Sequence, residues 1–409
     1  MTDIASLPPG EARSSDAASP PRGGARSSGD VRSPGAPPPL HKSSIKTDSL
    51  FINLGPQHPS THGVLRLGLT VEGEVITSAV PDIGYLHRGT AKLAEARGYH
   101  HCVVLTDRWD YVSAMPNNLV FCLAAEKLMG LKIPPRADVL RVVMCELNRL
   151  ASHLLFFGTY GIDIGAFTPF LYAFREREMI LDLFEMSCGA RLTYNYIRLG
   201  GVSHDIPEGW LDKTGEFLGH FKPRLDEYDT LLTFNPIFMA RTRDVGVITA
   251  QQAVNWGLSG PNLRGSGVDY DVRKADPYSA YAQFQFDIPL GERGTCWDRY
   301  FCRVREMRQS VRIISAALAG LPGGEFMATG VAKIPKPQPG EAYAHVEGSR
   351  GDLGIYLVSD GGQSPYRLHV RAPSFVNLAI LQEILVGKKI ADVIAILGSI
   401  DIVLGEVDR

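Results

Sequence analysis

The chain has six cysteines, at 102, 122, 145, 188, 296 and 302, and no two of them form a Cys-x-x-Cys pair. That excludes a zinc knuckle and the usual iron–sulfur cysteine runs. So few thiols in so long a chain are no disulfide scaffold either, and they read as small buried hydrophobes. A Walker A run is absent, and so is a Gly-x-Gly-x-x-Gly turn between a strand and a helix. The chain therefore offers no glycine-rich cradle for nucleotide phosphates. The strongest late apolar run, 393–400, falls far short of the ~20 residues a helix needs to cross hydrocarbon. Crossing a membrane alone is excluded, whereas docking on a membrane protein is not. A net charge of −2 over 409 residues gives no strong field, so nucleic acid is not an implied partner. The amino terminus has no apolar signal-peptide core.

Residues 1–48 are rich in Pro, Ser, Gly and Ala, with charges of both signs. Such a segment buries too little area to offset its ordering entropy, so it reads as a disordered tail. Ordering along a partner is the alternative. From about 50 to 80 the pattern is that of strands: Leu65, Leu67, Leu69 and Val71 share one face, and Glu72-Gly73-Glu74 makes a turn. From about 85 the period becomes helical. Helices are expected over 117–129, 138–157, 168–188, 211–232 and 297–320, with Thr168 as a cap and Pro169 in the first turn. Strands return at 342–347, 354–358 and 366–370, with a turn at Ser359-Asp360-Gly361-Gly362, and helices close the chain. The fold class is α+β: a mainly helical core with small antiparallel sheets at both ends. The expected layout is a tail (1–48), an N-terminal β region (49–82), a helical core (83–335) and a C-terminal β/α region (336–409).

One run resists explanation by local structure. Gly55-Pro56-Gln57-His58-Pro59-Ser60-Thr61-His62-Gly63 packs two histidines and two prolines into a short loop before a strand. Histidine is neither the usual turn former nor a good strand former. A stiff, proline-braced loop can instead hold imidazoles over a cavity. Further along come Gly84-Tyr85-Leu86-His87-Arg88-Gly89, Asp107-Arg108-Trp109-Asp110-Tyr111, Glu146-Leu147-Asn148-Arg149-Leu150 and Gly165-Ala166-Phe167-Thr168-Pro169-Phe170. Ser266-Gly267-Val268-Asp269-Tyr270-Asp271 and the terminal Gly405-Glu406-Val407-Asp408-Arg409 complete the set.

Taken together, these motifs resemble the 49 kDa-type subunit family of respiratory complex I, the bacterial NADH–quinone oxidoreductase. The resemblance runs from about residue 50 to the end. The wider relatives are the large subunits of nickel–iron hydrogenases, which hold nickel with two Cys-x-x-Cys pairs. This chain has neither, so the resemblance implies no metal and an old metal cavity free for quinone. It implies a peripheral subunit on the cytoplasmic face of the inner membrane, active only within its complex. The implied partners are a cluster-bearing small subunit of B type, subunits of C and I type, and a quinone-channel membrane subunit of H type. Flavin (FMN) and iron–sulfur clusters sit on partner chains. The substrate is a quinone, ubiquinone or menaquinone.

By the same resemblance Tyr111 and His62 are the quinone-headgroup residues, and Asp163 is the acidic partner of His62. His58 braces the loop or touches quinone. His87 and Arg88 line the cavity or face the neighbouring cluster, and Arg409 ends close to it. Asp401 and Asp408 belong to the same terminal stretch. Glu146, Arg149 and His153 read as a buried structural network. The chain departs from the family at Ala91-Lys92, where Glu-Lys is usual; Glu95, one turn on, is a possible replacement. The short segment 321–341 reads as scaffold or interface. A ferredoxin-fed quinone oxidoreductase and a structural clamp without quinone chemistry are the alternative readings.

Overall fold

A computed structural model describes residues 48–409, and its centre is one long helix, Pro135–Asp163. Pro135 occupies the first turn, where its missing N–H costs nothing, and Asp138 complements the positive helix end. Apolar side chains lie on almost every side, from Val139 and Leu140 to Phe157 and Tyr160, so the helix is buried all round. It packs against the helices Ala114–Met129, Thr168–Cys188, Cys296–Ala319 and Ile390–Ile400. The expected span 138–157 is extended at both ends. Gly158 and Gly161 suggest a stop, but they are contact points: a Cβ at Gly158 would lie 3.0 Å from the Phe170 Cα. Close helix packing there outweighs weak helix propensity. Thr168 does not cap; Phe167 holds that position and Thr168 is already helical. The helix expected over 211–232 is Trp210–Tyr228, continued by a π-helical turn, Asp229–Thr233.

The N-terminal sheet is antiparallel, in chain order: Leu50–Leu54, Arg66–Glu72 and Val75–Asp82. Leu65, Leu67, Leu69 and Val71 are all buried, as their alternation predicts. They share a core with Leu381, Leu385, Ile396 and Leu404 from the C-terminal helices. Backbone bonds join the same parts: the Ile76 N–H donates to the Lys388 carbonyl (2.9 Å), and the Gly387 N–H to the Ile76 carbonyl (2.8 Å). The two ends of the described chain are thus packed together. A second antiparallel meander, Gly340–Glu347, Asp352–Ser359 and Arg367–Arg371, lies against the Ala114–Met129 helix. Residues 1–47, where the tail is expected, lie outside the described residues.

Buried ion pairs fix the helical core. Arg141 and Glu126 meet at 2.6 Å with almost no exposure. Arg141 also donates to the carbonyls of Arg198 and Gly201, and Glu126 accepts the Gly200 N–H. One pair therefore anchors the 197–202 hairpin to two helices. Glu146 likewise receives Arg149, Arg273, Tyr281 and Ser310. Arg141→Met would strand the Glu126 carboxylate in the interior, and the expected cost is about 3–5 kcal/mol. The check is a urea melt, in which the midpoint must fall or folded protein must not be recovered.

Candidate functional site

The histidine-rich loop is built as a one-turn 3₁₀ helix, Pro59–Thr61. His58 caps it, its Nδ1 accepting the Ser60 N–H at 3.2 Å. The Thr61 hydroxyl faces the carbonyls of His58 (2.9 Å) and Pro56 (3.2 Å). Gly55 is required by space as well as by its positive φ, because a Cβ there would sit 2.2 Å from the Leu65 carbonyl oxygen. The turn ends on His62, itself left-handed (φ 55°). His62 keeps an exposed surface although the protein around it is dense enough for burial to lower its pKa. Asp401 opposes that shift, and Arg350 adds to it.

Among the described residues no hydrogen bond or ion pair joins His62 to Asp163, the acidic partner expected for it. Asp163 ends the long helix and accepts the Ser60 hydroxyl at 3.2 Å. Burial pushes its carboxyl up to about 6, against the Ser60 hydrogen bond and the charge of His58. The carboxylate whose charge acts on His62 is Asp401. From the turn, Ser60 bonds to Asp163 and the charge of His58 acts on it.

Tyr111 follows Asp110 in the turn that leads into the Ala114–Met129 helix. The Asp110 carboxylate is buried and accepts the Val112 N–H (3.2 Å) and Arg350 Nη1 (3.1 Å). Arg350 also donates to Ser152 and, through Nη2, to Asp401 at 3.2 Å. A single buried guanidinium therefore spans from the neighbour of Tyr111 to the carboxylate acting on His62. Burial raises the pKa of the partly buried Tyr111 phenol; Asp110 raises it further, while Arg350 and Arg88 pull it down. The phenol stays protonated through neutral pH. Glu406 is buried close to the same carboxylates, and burial together with Asp110 pushes it up to about 7.

The last residues of the chain close the site. Gly398 lies against Asp163, where a Cβ would come within 3.0 Å of Oδ2. Gly405 presses on the Arg108–Tyr111 turn, where a Cβ would sit 2.6 Å from the Trp109 carbonyl oxygen and 3.1 Å from Tyr111 Cδ1. The Asp408 carboxylate accepts the N–H groups of Gly84 (2.8 Å) and Leu86 (2.7 Å). Its carbonyl oxygen accepts His87 Nδ1–H at 2.6 Å, which leaves Nε2 for other work. Arg88 donates to the Arg108 carbonyl (2.5 Å). A cleft of about 310 Å³ opens between His87, His369, Phe375 and Arg409, with the Arg409 guanidinium 4.8 Å above the Phe375 ring.

Tyr111, His62, Asp163, His87, Arg88 and Arg409 are thus all tied to this one terminal segment or to its direct contacts. Glu95, the possible replacement for the carboxylate missing at Ala91, pairs with Lys92 (2.6 Å) and Arg367 (3.1 Å). Among the described residues no group of three or more His, Cys, Asp or Glu is placed to hold a metal, and no helix is long and apolar enough to cross a membrane. Sequence reasoning passed over Arg350. It sits in Gly348-Ser349-Arg350-Gly351, which reads as an ordinary turn between strands, and its one signal is the pair of flanking glycines. Gly351 is needed because a Cβ there would come 2.7 Å from the Ser259 carbonyl carbon.

The family described as "Respiratory-chain NADH dehydrogenase, 49 Kd subunit" matches residues 163–339 and 329–409. A protein of Desulforamulus reducens, named as the D subunit of NADH-quinone oxidoreductase, is 53% identical over 365 residues, covering 89% of this chain and 100% of that one. Proteins of the same name from Bacillus cereus and Bacillus anthracis are each 52% identical over 364 residues, again covering 89% of this chain and all of their own length. With its terminal segment clasping the histidine loop and the Tyr111 turn, and with this similarity across nearly all of the described residues, the chain belongs to the 49 kDa subunit family of respiratory-chain NADH dehydrogenase.

Proposed function

We propose that this chain is the quinone-binding core subunit of an NADH–quinone oxidoreductase, with the headgroup held between Tyr111 and His62. The observation that carries the reading is the Asp110–Arg350–Asp401 bridge, which couples the two residues electrostatically while both keep accessible surface. Reduction of a quinone takes two electrons and two protons. The electrons come from an iron–sulfur cluster on a B-type partner, fed from FMN on a further chain. The protons need donors within about 3 Å of the two carbonyl oxygens. Tyr111 supplies one from a phenol that holds its proton until an oxyanion forms. His62 supplies the other from an imidazole whose charged form burial and Arg350 disfavour and Asp401 supports, so its proton leaves readily. His58 and Ser60 keep the loop in register with Asp163.

The surroundings support docking in a larger assembly. Ile162, Phe167 and Leu171 expose apolar surface around the end of the long helix, and Tyr85 does so beside His87. Partners of B, C, I and H type would cover such surfaces and place the chain peripherally on the cytoplasmic side of the membrane. Ferredoxin in place of NADH would change only the electron input, not this site.

In native membranes carrying Tyr111→Phe, with assembly confirmed on a native gel, quinone-dependent NADH oxidation is expected to fall at least about tenfold. Oxidation by an artificial acceptor that draws electrons at the flavin should hold. Retention of both rates would favour the structural clamp. The Asp163 carboxyl carries its charge above about pH 6 and loses it below. Quinone turnover is therefore expected to decline as pH drops through that value. In Asp163→Asn that acid limb should vanish from the pH–rate profile; an unchanged limb would remove Asp163 from the mechanism.

A further inference from the structure

The long helix and the Cys296–Ala319 helix enclose charged groups that the headgroup chemistry leaves unused. His153 is buried, with Nε2 2.8 Å from Glu306 Oε2. Glu306 also accepts Arg264 Nε at 3.0 Å. Burial works to raise the Glu306 pKa, yet Arg264 and His153 hold it well below the usual carboxylate value. Glu306 is thus an ionised acceptor, and His153 Nε2 must donate to it. Nδ1 is left as the atom that can take up or release a proton, and it has no hydrogen-bond partner among the described residues.

Three more buried polar atoms without partners among the described residues stand on the same network: Arg303 Nε, Arg350 Nε and Asp401 Oδ2. Arg303 lies three residues before Glu306 on one helix, 3.4 Å from Asp401 Oδ2 but without hydrogen-bond alignment. Its charge acts on both Asp401 and Glu306. Arg350 binds Asp401 and Ser152, and Ser152 is the residue before His153. N–H donors and a carboxylate oxygen thus gather at the Asp401 turn, and the unpartnered imidazole nitrogen belongs to the residue next to Ser152, which Arg350 binds, and feels the charge of Arg303. Buried polar groups seldom go unsatisfied, and internal water is their usual partner where protein offers none.

We propose that a small internal water cluster joins His153 Nδ1 to Asp401 and that His153 relays protons through it to the His62 side of the headgroup pocket. This inference rests on the quinone-site reading. After His62 gives a proton to a quinone oxygen it is neutral. The His153 imidazolium then releases its Nδ1 proton to water, and water passes a proton on to His62. His153 is left neutral, its Nε2–H still on Glu306, and no electron moves in this step. The charged groups facing His153 are Glu306 and Arg303 from the opposite helix and Arg149 from its own. Burial and the two arginines outweigh Glu306 and favour the neutral ring, so an imidazolium formed at His153 gives up its Nδ1 proton readily.

Two measurements on the intact complex test this. His153→Gln keeps a donor for Glu306 but cannot exchange a proton. Quinone turnover is expected to slow about tenfold, with an unchanged KM for quinone and a larger solvent deuterium isotope effect. A normal rate and isotope effect, or a raised KM with a normal isotope effect, would overturn the relay. If that variant does not assemble, a cryo-EM map of the wild-type complex that resolves water decides. Density bridging His153 Nδ1 and Asp401 Oδ2 is expected, and a dry contact there overturns the proposal. Failure of the quinone-site reading would look different: Tyr111→Phe would keep full turnover while the water density remained.

Discussion

Everything at the candidate site hangs on one guanidinium. Arg350 is fully buried and binds Asp110, Ser152 and Asp401, which belong to three separate stretches of chain. Asp110 sets the turn that presents Tyr111. Ser152 belongs to the central helix. Asp401 lies in the terminal segment, and its charge acts on His62. A buried carboxylate pair around one cation is costly to disturb, because removing the cation leaves Asp110 without its cation and Asp401 with Arg303 alone. The same cost makes the arrangement rigid, which suits a pocket that must hold two proton donors at a fixed separation.

The terminal segment turns this anchor into a site. Gly398, Asp401, Gly405 and Asp408 touch, in order, Asp163, Arg350, the Tyr111 turn and the loop bearing His87. The glycines are there for space, since a methyl group at 405 would run into the Trp109 carbonyl. Chain ends usually fray. This one is buried from Leu404 to Asp408 and is held by the shared core with the N-terminal sheet. That explains why the two ends of the described chain pack together: the histidine loop enters from one and its facing wall from the other.

Much of this was legible in the sequence. The Leu65–Val71 alternation gave a buried strand face, and the Ala114–Met129, Thr168–Cys188 and Cys296–Ala319 helices lie within a few residues of their expected ends. The misjudged C-terminal end of the long helix has one cause: Gly158 and Gly161 look like breakers until Phe170 and Pro169 are packed on them. His58 as a brace for its loop follows from the neighbouring prolines. The influence of Asp401 on His62 did not follow, because the two are remote in sequence and only the fold brings their charges together. Arg350 was invisible for a related reason. An arginine in a Gly-Ser-Arg-Gly turn is ordinarily solvated, and only tertiary contact reveals that it is buried between carboxylates.

The most direct test of this account is quinone turnover by the intact complex carrying Arg350→Lys. Lysine keeps the charge, but as a compact ammonium it cannot span Asp110 and Asp401 together. With assembly and the flavin-side acceptor rate preserved, the account predicts that quinone reduction falls by about tenfold or more. Wild-type quinone turnover in that variant would contradict it, because Tyr111 and His62 would then work without the bridge that joins them.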